Sequence, residues 1–411
     1  MTYIAIRKLG AVALSGILFS ACGGGGSSSG TASTSSSISS TSTSAPAYLA
    51  ASTPTPTPAP SSATSGITVL AGSGVAAFVD GSGTNASFST PIAIALDQAG
   101  NLYVNDDPEP QANSTFLPVM RKVTPTGTVT TLIGFDMVYP FAIDGQGNFF
   151  GLGSTTGSGE ELLEFSAAAQ PTVLVSNANL QTGSSDGPLA SATFDAPIIV
   201  AVDAAGNLYV ADITNCGVIR KITPSSTVVT LAGSSSNCGH TDGVGTAASF
   251  SNIEGMAVDQ SGNVYVSDVS GVNTGSGDTA AFTPTAAAIR KIAADGAVTT
   301  LAGSASAVGN ADGTGSAATF YLPHYITTDN AGNVYVTDST SPNNSGGSLI
   351  RAVSAAGVVT TIVGQANATT AAVTGPLPGA FPGIAINGIV WAGNGVIYAL
   401  VQNKVLKIQL P

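Results

Sequence analysis

Short runs of alternating apolar and polar residues recur along most of the chain, separated by turn residues. From Val200 the sequence reads Val-Ala-Val-Asp-Ala-Ala-Gly-Asn-Leu-Tyr-Val-Ala-Asp, then Val-Ile-Arg-Lys-Ile-Thr-Pro, then Val-Val-Thr-Leu-Ala-Gly. Such alternation, bounded by Asp, Gly, Asn and Pro, predicts short β-strands. The same order returns around Tyr103, Tyr265 and Tyr335, and more faintly around Phe150 and Tyr398. The pattern therefore predicts six repeated units of four antiparallel strands.

The two ends of this repeat region complement each other. The last unit stops after a third strand at Val405 to Ile408, whereas Ile67 to Gly72 matches a fourth strand such as Val298 to Gly303. An N-terminal strand that completes the last unit would remove an exposed sheet edge. The sequence therefore predicts an all-β protein, a six-bladed β-propeller of four-stranded antiparallel blades, over residues 66–411.

Two recurring motifs that contain aspartate are expected to form turns between strands. The turn between the first two strands of a unit reads Asp-x-x-Gly-Asn, where Asp accepts backbone hydrogen bonds and Gly takes a positive φ. Its aspartates are Asp97, Asp144, Asp203, Asp259 and Asp329. Asp-Gly pairs also recur with the repeat and are interpreted as turn residues; their aspartates are Asp80, Asp186, Asp242 and Asp312.

A third acidic position varies together with a basic one. An Asp ends the second strand only in units whose third strand carries an Arg; the pairs are Asp106 with Arg121, Asp212 with Arg220, Asp268 with Arg290, and Asp338 with Arg351. In the second and sixth units these positions hold Gly153 with Leu163 and Val401 with Leu406. Because both partners are present or both absent, we predict a buried or half-buried ion pair between adjacent strands.

The repeat resembles that of NHL propellers. The resemblance lies in Ala-Val-Asp-x-x-Gly-Asn-x-Tyr-Val-x-Asp followed by Ile-Arg-Lys-Ile, strong in four units and weak in two, over residues 67–411. These units are longer than a compact propeller repeat, and the excess falls at Asp106 to Met120, Asp268 to Ala288, Asp338 to Leu349 and the linkers between units. These loops share one face, which the resemblance implies is the ligand-binding face.

The N-terminal segment has the layout of an export signal. Arg7 and Lys8 precede an apolar stretch too short to span a bilayer, and Leu18-Phe19-Ser20-Ala21-Cys22 resembles a lipobox. We expect a signal peptide at 1–21, lipidation of Cys22, a Gly/Ser/Thr/Pro-rich tether at 22–65 and a periplasmic or outer-surface location in a bacterial envelope. The alternative is an incidental cysteine beside an ordinary cleavage site.

Charge narrows the possible partners. The chain carries a net charge of −12, and only 8% of its residues are charged. A strongly acidic surface argues against binding nucleic acid and against docking onto anionic lipid, so membrane contact is expected through the anchor alone. We expect a monomer.

Two cysteines and both histidines fall on the loop-rich face. Cys216 and Cys238 are expected to form a disulfide, because an exported compartment is oxidising; the alternative is a thiol pair that binds metal with His240. His324 should lie near the mouth of the central channel, and Asp195, Asn252 and Glu254 lie in or beside the matching stretches of preceding units. These residues could hold calcium or act as an acid/base set, or they could be solvated rim residues.

These observations favour a binding or scaffold module for a protein, glycan or small molecule over an enzyme. The alternative is a calcium-dependent lactonase-like hydrolase, since six-bladed propellers include such enzymes. A zinc-dependent amidating lyase, also six-bladed, is excluded because two histidines cannot supply a three-histidine site. The sequence contains no nucleophile motif, phosphate-binding glycine loop or multi-histidine cluster. No resident cofactor is expected other than the calcium of this alternative.

Overall fold

The structure is a computed structural model that describes residues 65–107, 119–132, 137–153, 161–166, 171–180, 183–213, 216–274, 281–341, 347–365, 373–379 and 384–411. The predicted signal peptide, Cys22 and all of the tether but Ser65 lie outside these residues. Among the described residues, no helix has the length and apolar character needed to cross a membrane.

Six small antiparallel sheets make up this part of the chain. The strands of blades 1 to 3 are β2 (Gly81–Ser82), β3 (Thr90–Leu96), β4 (Leu102–Asp107), β5 (Val119–Val123) and β6 (Thr128–Leu132); β7 (Met137–Ile143), β8 (Phe149–Gly153), β9 (Glu161–Phe165) and β10 (Pro171–Val175); and β11 (Gly187–Pro188), β12 (Pro197–Val202), β13 (Leu208–Ile213), β14 (Gly217–Ile222) and β15 (Thr227–Gly233).

Blades 4 to 6 follow the same order. Their strands are β16 (Gly243–Val244), β17 (Asn252–Val258), β18 (Val264–Thr274), β19 (Ala281–Ile292) and β20 (Ala297–Ser304); β21 (Gly313–Thr314), β22 (Leu322–Thr328), β23 (Val334–Ser339), β24 (Ser348–Val353) and β25 (Val358–Val363); and β26 (Ile386–Trp391), β27 (Val396–Val401) and β28 (Lys404–Gln409), with β1 (Gly66–Ala71) completing blade 6. Short 3-10 turns lie at Gly83–Asn85, Asn177–Asn179, Gly245–Ala247 and Gly315–Ala317.

The first long strand of each blade is its inner strand, and these strands neighbour one another around a ring. They succeed one another as β3, β7, β12, β17, β22 and β26, and β26 returns to β3. The ring closes as predicted, because β1 pairs antiparallel with β28 from Gly66 opposite Gln409 to Ala71 opposite Val405. The six-bladed propeller predicted from the repeat is confirmed.

Four blades contain one strand more than predicted. The segment entering blades 1, 3, 4 and 5 forms a two-residue strand, namely β2, β11, β16 or β21, which pairs with the outer strand of its own blade. Within the described residues, blades 2 and 6 each have four strands. The blades with a fifth strand are the four that carry the Asp–Arg pairs.

The Asp-x-x-Gly-Asn turns have the predicted structural role. In blade 3 the Asp203 carboxylate accepts hydrogen bonds from the backbone N–H of Ala205 and Asn207, from the Asn207 side chain at 2.7 Å and from Tyr209 Oη at 3.0 Å. Gly206 follows with φ +79°, a conformation that disfavours side chains. The hydrophobic core lies between neighbouring blades, as where Phe250 and Ile253 of blade 4 pack with Ile219 of blade 3.

The long insertions are only partly described. Residues 108–118 and 342–346 lie outside the described part. The insertion expected between Asp268 and Ala288 is instead largely a longer hairpin, because β18 pairs with β19 from Val264 opposite Ile292 to Thr274 opposite Ala281. Alternating β-formers such as Val269, Val272 and Thr283 explain why this segment continues the strands.

Candidate binding site at the channel mouth

The Asp–Arg pairs predicted from the repeat are present in all four blades. Each arginine is fully buried, and its Nη1 lies near the aspartate that ends the second strand. The Nη1 to Oδ2 distances are 3.0 Å for Arg121–Asp106, 3.5 Å for Arg220–Asp212, 2.8 Å for Arg290–Asp268 and 3.0 Å for Arg351–Asp338. Because both side chains of each pair are buried, loss of one would leave the charge of the other uncompensated.

Each arginine also contacts a second carboxylate, and the sequence analysis did not predict this contact. The Nη2 atom contacts the aspartate of the Asp-Gly pair at 2.9 Å for Asp80, 2.8 Å for Asp186, 2.7 Å for Asp242 and 2.8 Å for Asp312. Burial acts to raise the pKa of Asp80, but hydrogen bonds from Thr131 and Arg121 outweigh it and lower that pKa. Each arginine therefore fastens the incoming linker to its blade, and the fifth strands found in the described part of the chain all lie in these four blades.

The same cluster fixes the start of the inner strand. In blade 3 the Asp212 carboxylate accepts hydrogen bonds from the backbone N–H of Asp195 and of Ala196, both at 3.0 Å or less. In blade 1 Asp106 accepts from the N–H of Ser89 and Thr90. The Asp–Arg cluster therefore holds the residues immediately before the inner strand, where that strand reaches the channel mouth.

The predicted disulfide is present. Cys216 and Cys238 are 22 residues apart with a Cα–Cα distance of 4.9 Å, and they join the hairpin of blade 3 to the linker entering blade 4. His240 follows on that linker, where its Nδ1 lies 2.9 Å from the Asp268 carboxylate and its Nε2 lies 2.8 Å from Ser270 Oγ. The structure thus places His240 in the Asp–Arg cluster of blade 4.

The repeat explains this placement of His240. It stands two residues before Asp242, and the same position in blades 3 and 5 holds Ser184 and Asn310. Both of these side chains also donate to the second-strand aspartate of their blade, at 3.1 and 3.0 Å. Aligning the Asp-Gly pairs in the sequence would have identified this shared structural position.

Glu254 and His324, by contrast, meet at the channel. They lie on the adjacent inner strands β17 and β22, with His324 Nε2 3.4 Å from Glu254 Oε2. Asn252 donates a hydrogen bond to Glu254 Oε1. Burial raises the pKa of Glu254 to about 7, against the opposing effect of Asn252, and lowers the pKa of His324 to about 4. At neutral pH the imidazole is therefore uncharged and the carboxyl group is partly protonated.

The pairing register is irregular near the same level in all six inner strands, and in β7 it skips one residue on either side of Tyr139. The pairing register skips one residue in four of them and the pair His324–Tyr325 in β22. The skipped single residues are Ile92, Ile198, Glu254 and Asn387. A bulge re-aims side chains, and bulges are frequent beside functional sites. Ile92, Ile198, Glu254, His324 and Asn387 are all half-buried, and we call these five residues the mouth ring.

The mouth ring has an apolar side and a polar side. Blades 1 and 3 contribute isoleucines, whereas the consecutive blades 4, 5 and 6 contribute a carboxyl group, an imidazole and an amide. The amide of Asn387 donates to the Pro91 carbonyl oxygen at 3.2 Å, linking blade 6 to blade 1. Because the fold accepts isoleucine at this level, the polar side chains here are not a requirement of the repeat.

A close approach between strands brings Glu254 and His324 together. A Cβ atom added to Gly255 would overlap the His324 carbonyl oxygen. That oxygen instead accepts a hydrogen bond of 3.0 Å from Ser267 Oγ on β18. Glycine at position 255 therefore permits the spacing at which the two side chains meet.

Asp195 is placed apart from this pair. Its backbone N–H binds Asp212, and its carboxylate has no contact with Glu254 or His324 among the interactions found. Within the described ranges, no group of three or more carboxylate, imidazole or thiol side chains that could hold a metal ion was found. The described residues therefore offer no observation in favour of the calcium site considered from the sequence.

The channel also contains a cavity farther along the inner strands. It has a volume of about 210 Å³ and is lined by all six inner strands, with residues such as Ile94, Ile143, Val202, Val258 and Val390.

Comparison with known proteins adds information on the fold. No protein-family model matches the chain, and no curated protein matches its sequence. A structural genomics protein of unknown function from Bacteroides thetaiotaomicron aligns with a TM-score of 0.57 at 19% identity. Auxiliary nutrient binding proteins from Bacteroides thetaiotaomicron and Bacteroides ovatus align with TM-scores of 0.55 at 14% and 15% identity. Each alignment covers 84% of this chain and 76% of the other. At these identities the similarity shows a shared fold.

Proposed function

We propose that this protein is a lipid-anchored, monomeric NHL-type propeller of the bacterial cell envelope that binds a small ligand at the mouth ring. The observation that carries the proposal is the break in the repeat at that ring. Three consecutive blades have Glu254, His324 and Asn387 at a bulge where blades 1 and 3 have isoleucine. A cluster of polar side chains that the fold does not need is typical of ligand recognition.

Two further observations support a binding role. The auxiliary nutrient binding proteins of Bacteroides share the fold, which makes nutrient uptake a reasonable context. The arginines of the described part are all buried in the Asp–Arg clusters, so they offer no basic surface for nucleic acid.

The position of the first strand suits display from a membrane. Gly66 pairs with Gln409, which in turn pairs with Val396 beside the turn between the first and second strands of blade 6. The chain therefore enters the propeller at the end opposite the mouth ring.

Histidine NMR provides a direct test. The chain contains two histidines, so a protein with labelled imidazoles gives one signal from the mouth ring and one, from His240, as an internal reference. We expect a member of a panel of sugars, amino acids, amines and carboxylic acids to shift the His324 signal and leave that of His240 unchanged. The shift should disappear in Glu254→Gln but persist in Asp295→Asn, which changes an exposed carboxylate at the opposite face.

The outcomes separate binding from catalysis. A panel that leaves His324 unmoved throughout would contradict the proposal. Turnover of lactones that requires calcium and is lost in Glu254→Gln would instead favour the hydrolase alternative, for which the Glu254–His324 contact of 3.4 Å is the relevant observation.

A further inference from the structure

The mouth ring contains a carboxyl group without a basic partner. All nine basic residues of the described part lie on the third strand of a blade; they are Arg121, Lys122, Arg220, Lys221, Arg290, Lys291, Arg351, Lys404 and Lys407. Neighbouring strands are about 4.8 Å apart, so that strand is two strand spacings from the channel. His324 is the nearest group of basic type, at 3.4 Å from Glu254. A cationic charge at the mouth must therefore come from a ligand.

Two members of the mouth ring are isoleucines, and each lies on a blade across the channel from a polar member. In a ring of six blades, blade 4 stands opposite blade 1 and blade 6 opposite blade 3. Ile92 therefore stands across the channel from Glu254, and Ile198 stands across from Asn387. A ligand that reaches from Glu254 to Ile92, or from Asn387 to Ile198, would meet a polar side chain at one end and an aliphatic one at the other.

We propose that the ligand of the mouth ring is an organic ammonium ion with a small aliphatic body. This inference rests on the proposed function and specifies the ligand class. The ammonium group is held by the carboxylate of Glu254, with Asn252 and the neutral imidazole of His324 beside it, and the aliphatic body packs against Ile92 and Ile198. An anion would meet Glu254 with no compensating cation, in a protein whose net charge is −12.

Ammonium binding and protonation of Glu254 compete for the same group. Burial raises the pKa of Glu254 to about 7, so the ionised fraction of the free protein rises about tenfold between pH 6 and pH 8. An ammonium ligand binds the ionised form and should therefore bind about tenfold more tightly at pH 8. A neutral ligand would lack this dependence.

Other titratable groups near Glu254 are already accounted for. Its strand β17 packs against β12, β13, β18 and β22. At the channel-mouth end of these strands the groups are Asp195 before β12, Asp212 paired with Arg220 on β13, Asp268 paired with Arg290 and His240 on β18, and His324 on β22, with the phenols of Tyr321 and Tyr325 beside it. Burial keeps the pKa of His324 near 4, so His324 stays neutral between pH 6 and pH 8.

The test compares three probes of similar size and different charge. n-Butylammonium, n-pentanol and pentanoate are titrated into the full chain at pH 6 and pH 8 at constant ionic strength, and the His324 imidazole signal is followed. We expect n-butylammonium to bind at least tenfold more tightly than either other probe at pH 8 and about tenfold more weakly at pH 6. Glu254→Gln should lose this selectivity, and Asp295→Asn should keep it. The pH comparison uses the unaltered protein and does not depend on any variant folding.

The results distinguish this inference from the proposed function. Equal binding of the three probes, absence of the pH dependence, or no response to n-butylammonium would overturn the ammonium assignment. If a neutral sugar shifts His324 while n-butylammonium does not, the mouth is still a binding site but its ligand class is different. If neither shifts His324, both the ammonium assignment and the proposed function are wrong.

Discussion

The Asp–Arg cluster of blade 3 provides the sharpest test of the forces that hold a blade together. Asp212 has contacts with Arg220, with the hydroxyl of Ser184 and with two backbone N–H groups at the start of the inner strand. Asp212→Ala removes the buried partner of the arginine and leaves those N–H groups without an acceptor. Breaking a buried pair costs about 3 to 5 kcal/mol, so we expect the free energy of unfolding to fall by about 4 kcal/mol.

A double-mutant cycle measures how far the two residues act together. In Asp212→Ala the guanidinium still contacts Asp186 at 2.8 Å, so the arginine keeps one partner. We expect Asp212→Ala/Arg220→Leu to cost about 1 to 2 kcal/mol less than the sum of the single variants, since contacting charges couple by this amount. Guanidinium denaturation at pH 7, with the disulfide intact, gives all three values.

Asp212→Asn is the matched control for charge. It retains an oxygen acceptor for a backbone N–H while losing the charge, so its cost should lie between those of the native protein and Asp212→Ala. If the double variant costs as much as the two single variants together, to within about 0.5 kcal/mol, the two residues are not a coupled buried pair.

Three further predictions concern the disulfide, the mouth and ring closure. Reducing the Cys216–Cys238 disulfide, or replacing both residues with Ser, should lower stability by about 3 kcal/mol in unfolding experiments, because the bridge closes a loop of 22 residues; equal stability with and without reductant would contradict this. Because burial raises the pKa of Glu254 from 4.5 to about 7, its stabilising contribution is complete below pH 4.5 and is lost as the pH rises through 7. Glu254→Gln should therefore match the native protein at pH 4 and exceed its stability by about 3 kcal/mol at pH 8, and a constant difference across this range would show the pKa argument to be wrong. Deleting Gly66–Ala71 should expose the edge of β28, lower the melting temperature and cause association detectable by size-exclusion chromatography, whereas an unchanged, monomeric protein would argue against closure by this strand.

The sequence by itself determined the fold because the same strand pattern occurs six times along the chain. Alternation and turn residues defined the strands, and the missing fourth strand of the last unit was found at Ile67 to Gly72. The joint presence of Asp106 and Arg121, and their joint absence in two other units, identified an interaction that a single copy would not have revealed. The disulfide was predictable because both cysteines fell on the same face of one blade.

Only the tertiary structure decided which side chains share a site. Asp80 and its equivalents are turn residues in the sequence, but they bind an arginine about 40 positions away because the linker folds onto the outer strand. Asn387 was missed because it lies in a unit with a faint repeat, and Asp195 was grouped with Glu254 although it stands apart. Contacts between blades depend on how strands from distant parts of the chain close into a ring. The bulge that aligns Glu254 with His324 is a feature of strand register, which hydrophobic patterning does not encode.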